Sequence, residues 1–305
     1  MLTILLALIL GLAFLLYGMH ILRYGLQAFA GDTFRDLLHQ MTATPWRGFW
    51  SGTLATAALQ SSTALTVMAV SFVDSGLISF RNALGLILGS NIGTTVTTQL
   101  LALPLEPLIP YALLIGGLGY LFFPHRWRYL ALSCLGLAFL FLALNLLESG
   151  MAPLAEVERV QELLHQLGDH HFQGIIAGTL LSAVLHSSSA TTGIVMILAS
   201  DGWITLPTAI AFVFGANIGT CFTAVIASLA TNRAAQRVAL FHVLLNLFGA
   251  LLFFPFLTPL ALFFQWIGGP VSLQVANAHT LFNVLSSLIA MPFLPLAARL
   301  LERIR

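Results

Sequence analysis

Lysine is absent from this chain, and all twelve basic residues are arginine. Charge of either sign is scarce: charged residues make up 8% of the 305 positions, against a hydrophobic share of 58%. Ordinary soluble domains carry about 25% charged residues. The scarcity therefore excludes a soluble globular domain and indicates an all-α polytopic membrane protein, in keeping with a mean hydropathy of +0.95. A formal charge of +1 leaves no basic face for nucleic acid. Cysteine is nearly absent too. Cys134 and Cys221 lie in apolar stretches and read as small core residues rather than a disulfide or a metal pair. No positive charge precedes the apolar run 2–17, so Ala28-Phe29-Ala30 is not read as a cleavage site, and the run is expected to stay as a first membrane helix.

What the chain does have is a duplicated polar signature. Gln60-Ser61-Ser62-Thr63 and Asn91-Ile92-Gly93-Thr94 return as His186-Ser187-Ser188-Ser189 and Asn217-Ile218-Gly219-Thr220, each 126 positions on. Leu37-Leu38-His39-Gln40 returns at the same offset as Leu163-Leu164-His165-Gln166. Placing hydroxyls and amides in a low-dielectric region costs several kcal/mol each unless partners or ligands satisfy them. A duplicated polar cluster of this kind reads as a duplicated half-site. A single Ser-Ser-Thr run would be ordinary helix packing; it is the repetition of two linked motifs that argues for binding.

Hydropathy and Gly/Pro punctuation divide the chain into one transmembrane domain over 1–305. Helices are expected over 2–22, 108–123, 129–147, 238–256 and 275–296, with broken membrane helices over 80–103 and 206–229, about seven crossings in total. Re-entrant hairpins are expected over 47–73 and 173–200, with tips at Gln60 to Thr63 and His186 to Ser189. Amphipathic interfacial stretches are expected over 26–41 and 153–167. Repeat one spans about 26–103 and repeat two about 153–229, leaving 2–22, 108–147 and 238–296 as additional helices. Three crossings separate the hairpins, so the second repeat enters from the opposite face and the repeats are inverted. This topology places every arginine except Arg159 on one side. By the positive-inside rule that side is cytoplasmic, with the N-terminus outside and the C-terminus inside a bacterial inner membrane.

Non-helical backbone at membrane depth is tolerated only in protein or against a watery cavity. Tips and breaks that converge would offer helix N-termini to an anion and carbonyl ends to a small cation. Ser61, Ser62, Thr63, Ser187, Ser188, Ser189, Asn91 and Asn217 are the expected anion-binding groups, and Gln60, Ser90, Thr94, Thr95, Thr220 and His186 the expected cation-binding groups. No Arg or Lys stands in either signature, so co-transported cations are expected to balance the anion. Sodium is the only metal expected, and no cofactor or catalytic residue is. His186 beside Ser187 does not make a nucleophile and base, since no buried carboxylate is available to orient them.

These motifs resemble the sodium-dependent phosphate cotransporter family, type II, whose repeats carry a Gln-Ser-Ser-Ser tip followed by a Gly-(Ala/Ser)-Asn-Ile-Gly-Thr break. Gly89-Ser90-Asn91-Ile92-Gly93-Thr94 and Gly215-Ala216-Asn217-Ile218-Gly219-Thr220 match in full, and Phe241-His242 with Asn246, and 277–283, resemble the family's later helices. The resemblance implies a sodium-coupled phosphate transporter working by alternating access. Phosphate, sodium and the bilayer are its partners, with a homodimer or a separate PhoU-like regulator as further ones, since the chain stops at Arg305 without a PhoU-like domain. Another oxyanion or a small carboxylate, phosphate export, or a non-transporting scaffold or channel are the alternatives. Two departures stand out: Thr63 for a third Ser, and His186 for Gln. An imidazole titrates near neutral pH, so the second departure bears on cation identity and stoichiometry.

His242 with Asn246, and His279 with Asn283, are spaced i, i+4, so each pair shares a helix face that either lines the cavity or locks packing. His20 is expected to face the bundle, Asp74 and Asp201 to be solvated at the hairpin bases, and His165, His170 and His171 to form a solvated outer cluster.

Overall fold

A computed structural model describes residues 2–31, 42–157 and 171–304. Among them every regular element is helical. In chain order these are α1 (Leu2–Ala30), α2 (Pro45–Leu59), α3 (Ser62–Asp74), α4 (Phe80–Leu101), α5 (Ile109–Phe122), α6 (Trp127–Met151) and α7 (His171–Leu185). There follow α8 (Ser188–Ser200), α9 (Leu206–Ser228), α10 (Arg233–Phe253), α11 (Leu257–Ile267), α12 (Val271–Ala290) and α13 (Leu294–Glu302). Short 3₁₀ turns over Phe254–Phe256 and Met291–Phe293 join α10 to α11 and α12 to α13. Neither α11 nor α13 is in the sequence reading, whose last helices, over 238–256 and 275–296, run just past Pro255 and Pro292 and stop there. Each proline instead sits in the first positions of a turn that relays one helix into the next, where its missing N–H costs nothing.

Both expected hairpins form. Thr44 caps α2, accepting from Arg47 N at 3.2 Å, and Pro45 follows at the position that suits it. Gln60 ends α2 in the left-handed region (φ 54°), and Ser61 starts α3, its hydroxyl accepting from Ala64 N at 3.1 Å. His186 (φ 50°) and Ser187, which accepts from Ala190 N at 3.2 Å, repeat this between α7 and α8. Helices of 15 and 13 residues are each too short to cross about 30 Å of hydrocarbon. Five helical stretches among the described residues are long and apolar enough to cross, and α4 with α5, bent by 79°, make a sixth if taken as one span. The seven crossings read from the sequence count these two separately, but the second has only 14 residues, so the described residues support five to six crossings rather than seven.

The broken helices do not form. α4 and α9 run unbroken through Gly89 to Thr94 and Gly215 to Thr220. The glycines serve packing instead. Gly85, Gly89 and Gly93 present a bare stripe to α2, and an added methyl would collide with the carbonyls of Pro45, Phe49 and Thr53 in turn. Gly215 and Gly219 meet Ile175 and Thr179 of α7 in the same way. Without a hydrophobic drive between helices in lipid, such close backbone approach is what holds them together. The polar residues between the glycines satisfy themselves along the helix: Ser90 Oγ donates to Ile87 O (2.9 Å), Thr94 Oγ1 to Ser90 O (3.1 Å) and Thr95 Oγ1 to Ile92 O (2.8 Å).

α1 runs eight residues past its expected end at Leu22, which moves Arg23 from the membrane face into the helix. α1 packs along α6 through Gly18, Gly25 and Gly136. His20 is exposed rather than turned into the bundle. The interfacial stretch expected over 26–41 is helical as far as Ala30, and 32–41 and 158–170, with His165, His170 and Arg159, lie outside the described residues. His171 opens α7 with Nδ1 3.3 Å from Thr208 Oγ1. Asp74 ties the base of the first hairpin to α10, accepting from Asn232 N at 2.7 Å. Partial burial pushes the Asp201 carboxyl above its ordinary value.

Candidate functional site

The two tips and the two glycine-striped helices meet in the interior. Ser62 and Ser188, the first residues of α3 and α8, face Asn91 and Thr94 of α4 and Asn217 and Thr220 of α9 across one small polar cavity, which Asn246 of α10 and Asn283 of α12 complete. Its volume, about 10 Å³, is room for roughly one water molecule. All eight side chains are neutral hydroxyls and amides. The N-termini of α3 and α8 add free backbone amides and about half a positive charge each. The chemistry suits an oxyanion, and the volume means the site is closed in this conformation.

The asparagines are held by a matched pair of triads. His242 Nε2 lies 3.1 Å from Asn91 Oδ1; Asn91 Nδ2 donates to Asn246 Oδ1 (3.2 Å), and Asn246 Nδ2 donates back to the His242 carbonyl (3.0 Å). His279 Nε2 lies 3.1 Å from Asn217 Oδ1; Asn217 Nδ2 donates to Asn283 Oδ1 (3.0 Å), and Asn283 Nδ2 to the His279 carbonyl (2.8 Å). An amide oxygen only accepts, so each Nε2 carries its hydrogen and each ring is the donor. Both readings of the i, i+4 pairs are therefore realised: the asparagines line the cavity, and the histidines lock the amides. The triads are not identical. His279 Nδ1 is 2.9 Å from Thr98 Oγ1, whereas His242 Nδ1 is buried without a partner, and the residue 126 positions after Thr98 is Ala224.

Such a duplicated polar centre is matched by the model of the Na+/Pi-cotransporter family, which fits residues 14–149 and again 147–264. The chain belongs to the Na+/Pi-cotransporter family. It is thus a multi-span membrane protein of a transporter family for phosphate. Among similar proteins, Bacillus subtilis "Uncharacterized protein YqeW" is 35% identical over 87% of this chain and 86% of its own length. Salmonella typhimurium "Putative inorganic phosphate export protein YjbB" is 32% identical over 84% of this chain. The match spans 48% of YjbB, about half of that relative. Rabbit (Oryctolagus cuniculus) "Sodium-dependent phosphate transport protein 2A" is 45% identical over 74 residues, 24% of this chain and 11% of its own. No solved structure matches.

Within this cotransporter-family chain, Ser62, Ser188, Asn91, Asn217, Thr94 and Thr220 are brought together with the expected cavity-lining Asn246 and Asn283, and the other expected anion- and cation-binding residues are not at the cavity wall. Ser61 and Ser187 cap helices, Ser189 is buried behind the tip, and Thr63 stands outside the lining. Ser90 and Thr95 are turned back onto their own helix. His186 is exposed, its Nδ1 3.1 Å from Thr223 Oγ1. The matching pair in the first half, Gln60 and Thr97, is buried, and Gln60 Oε1 and Thr97 Oγ1 have no partner; nor has Thr56 Oγ1 on the same helix as Gln60.

Sequence reasoning missed Arg23. Its Nε donates to the Gln60 carbonyl (3.0 Å) and a terminal N–H donates to Ser187 Oγ (3.1 Å). A signal was there to read: a single arginine following twenty-two residues without Arg, Lys, Asp or Glu.

Proposed function

We propose that the chain is a sodium-coupled secondary transporter of inorganic phosphate, its two halves inverted in a bacterial inner membrane with the N-terminus outside, working by alternating access. The observation that carries this is the meeting of Ser62, Asn91 and Thr94 with their counterparts Ser188, Asn217 and Thr220 around one cavity at the N-termini of two half-length helices. Hydroxyls, amides and helix N-termini recognise a tetrahedral oxyanion without taking or giving a proton. Moving a dianion into a negative-inside cell opposes about 2.3 kcal/mol per charge per 100 mV. Neutral lining residues leave most of that charge to co-transported cations. The unpartnered oxygens Gln60 Oε1, Thr97 Oγ1 and Thr56 Oγ1 are of the type that sodium takes, and they support a cation position in the first half.

Export is the second reading, favoured by the name of the YjbB relatives. Labelled phosphate in proteoliposomes tests both. Uptake driven by an inward sodium gradient and competed by unlabelled phosphate is the expected result. Uptake indifferent to sodium removes the coupling, absence of competition removes the substrate, and efflux alone establishes export.

A further inference from the structure

Arg23 sits where the two halves touch. Gln60 is the C-terminal cap of α2 in the first tip, and Ser187 is the N-cap of α8 in the second. Among the described residues Arg23 alone hydrogen-bonds to both tips. Its carbonyl partner lies at a helix C-terminus, where a cation is favoured. Its hydroxyl partner precedes Ser188, a wall of the polar cavity, by one position, and Gln60 precedes Ser62 by two.

The guanidinium has five N–H donors, of which two are engaged, and among the described residues no carboxylate lies within ion-pair distance of it. A half-buried arginine inside a membrane helix without an acidic partner is costly, and such residues mark ion pathways. The charge is also one-sided. The position 126 residues on is Ser149, whose hydroxyl turns back to Leu146 O. Among the described residues, Arg23 is thus the one cation bonded next to a wall residue of the duplicated cavity, and it is not itself duplicated.

We propose that Arg23 is the fixed cation of the anion site and the tie between its halves. In the closed arrangement its charge is spent on a carbonyl and a hydroxyl, both neutral. An entering phosphate offers charged oxygens that a guanidinium can bond bidentately, ion to ion, where its present acceptors are neutral and take one bond each. The guanidinium therefore exchanges Gln60 O and Ser187 Oγ for the anion, and the exchange frees one tip from the other. Anion occupancy and separation of the tips are thus one event. This inference rests on the phosphate reading above.

The test compares the unaltered chain with Arg23→Lys and Arg23→Gln in lipid nanodiscs, measuring equilibrium binding of labelled phosphate and, separately, thermal stabilisation by sodium alone. Arg23→Gln is expected to lose phosphate affinity about ten- to hundredfold, the scale of lost charged hydrogen bonds. Arg23→Lys is expected to keep most of it, and both variants to keep the sodium response. Arg23→Gln binding phosphate like the unaltered chain overturns the proposal, as does Arg23→Lys failing equally, which marks a purely structural role. Absence of phosphate binding by the unaltered chain overturns the phosphate reading and this inference together. Should Arg23→Gln not fold, phenylglyoxal modification of the unaltered chain, mapped by peptide mass, decides. Phosphate but not chloride is expected to protect Arg23, and equal modification in both salts overturns the proposal.

Discussion

At the scale of the residue, the contrast between the two halves has moved. The sequence makes His186 the anomaly, a histidine where its partner repeat has Gln60. In the folded chain His186 is exposed and bonded to Thr223, while Gln60 and Thr97 are buried with free oxygens. The unpartnered buried oxygens therefore lie on the Gln60 side, where the proposed cation position is placed. Gln60→Ala is expected to weaken sodium activation of phosphate uptake by about tenfold, the cost of losing one charged contact. His186→Gln is expected to leave phosphate affinity at saturating sodium unchanged. Sodium titrations of uptake by the two variants check this, and the reverse ranking would return the cation site to the second half. The tip residues were legible because capping is local: Gln60-Ser61 and His186-Ser187 each end one helix and begin the next within two positions. Arg23 stands out in the sequence after twenty-two residues without Arg, Lys, Asp or Glu, but its bonds to the tips were not legible, because its partners lie 37 and 164 positions away and only packing of α1 brings them together.

At the scale of the element, the glycine motifs were found but misread. In water, Gly-Ser-Asn-Ile-Gly-Thr argues for a loop, since glycine weakens a helix by about 1 kcal/mol and Ser and Asn compete for backbone. In the bilayer an unsatisfied backbone group costs more than the glycine does, so the helix persists and the missing side chains become contact surface. Gly89→Ala separates the two accounts. A break would tolerate alanine; a packing stripe would not, since the methyl meets the Phe49 carbonyl. Overpacking of this kind costs about 1–3 kcal/mol. A lowered melting temperature in nanodiscs is therefore expected for Gly89→Ala and Gly215→Ala, and an unchanged one would restore the break. Gly117, with open space around it, is the control that alanine leaves unaffected.

At the scale of the whole molecule, the class, the repeat and the convergence of the tips were visible in the sequence. A constant offset of 126 and a near absence of charge are global properties that survive errors in helix boundaries. The partnership of His242 with Asn91 and of His279 with Asn217 was not visible. It pairs residues 151 and 62 positions apart, and only the fold shows that each histidine serves the asparagine of a striped helix. What results is one polar cavity with two halves, each built from a half-helix N-terminus, a locked amide and a threonine. The most direct measurement is equilibrium binding of labelled phosphate to the unaltered chain, Ser62→Ala, Ser188→Ala and the double variant. The account expects one phosphate per chain, weaker binding in each single variant, and a double variant that departs from the sum of the two, as groups sharing one ligand do. Two phosphates per chain, or single variants that each silence a separate site, would contradict it.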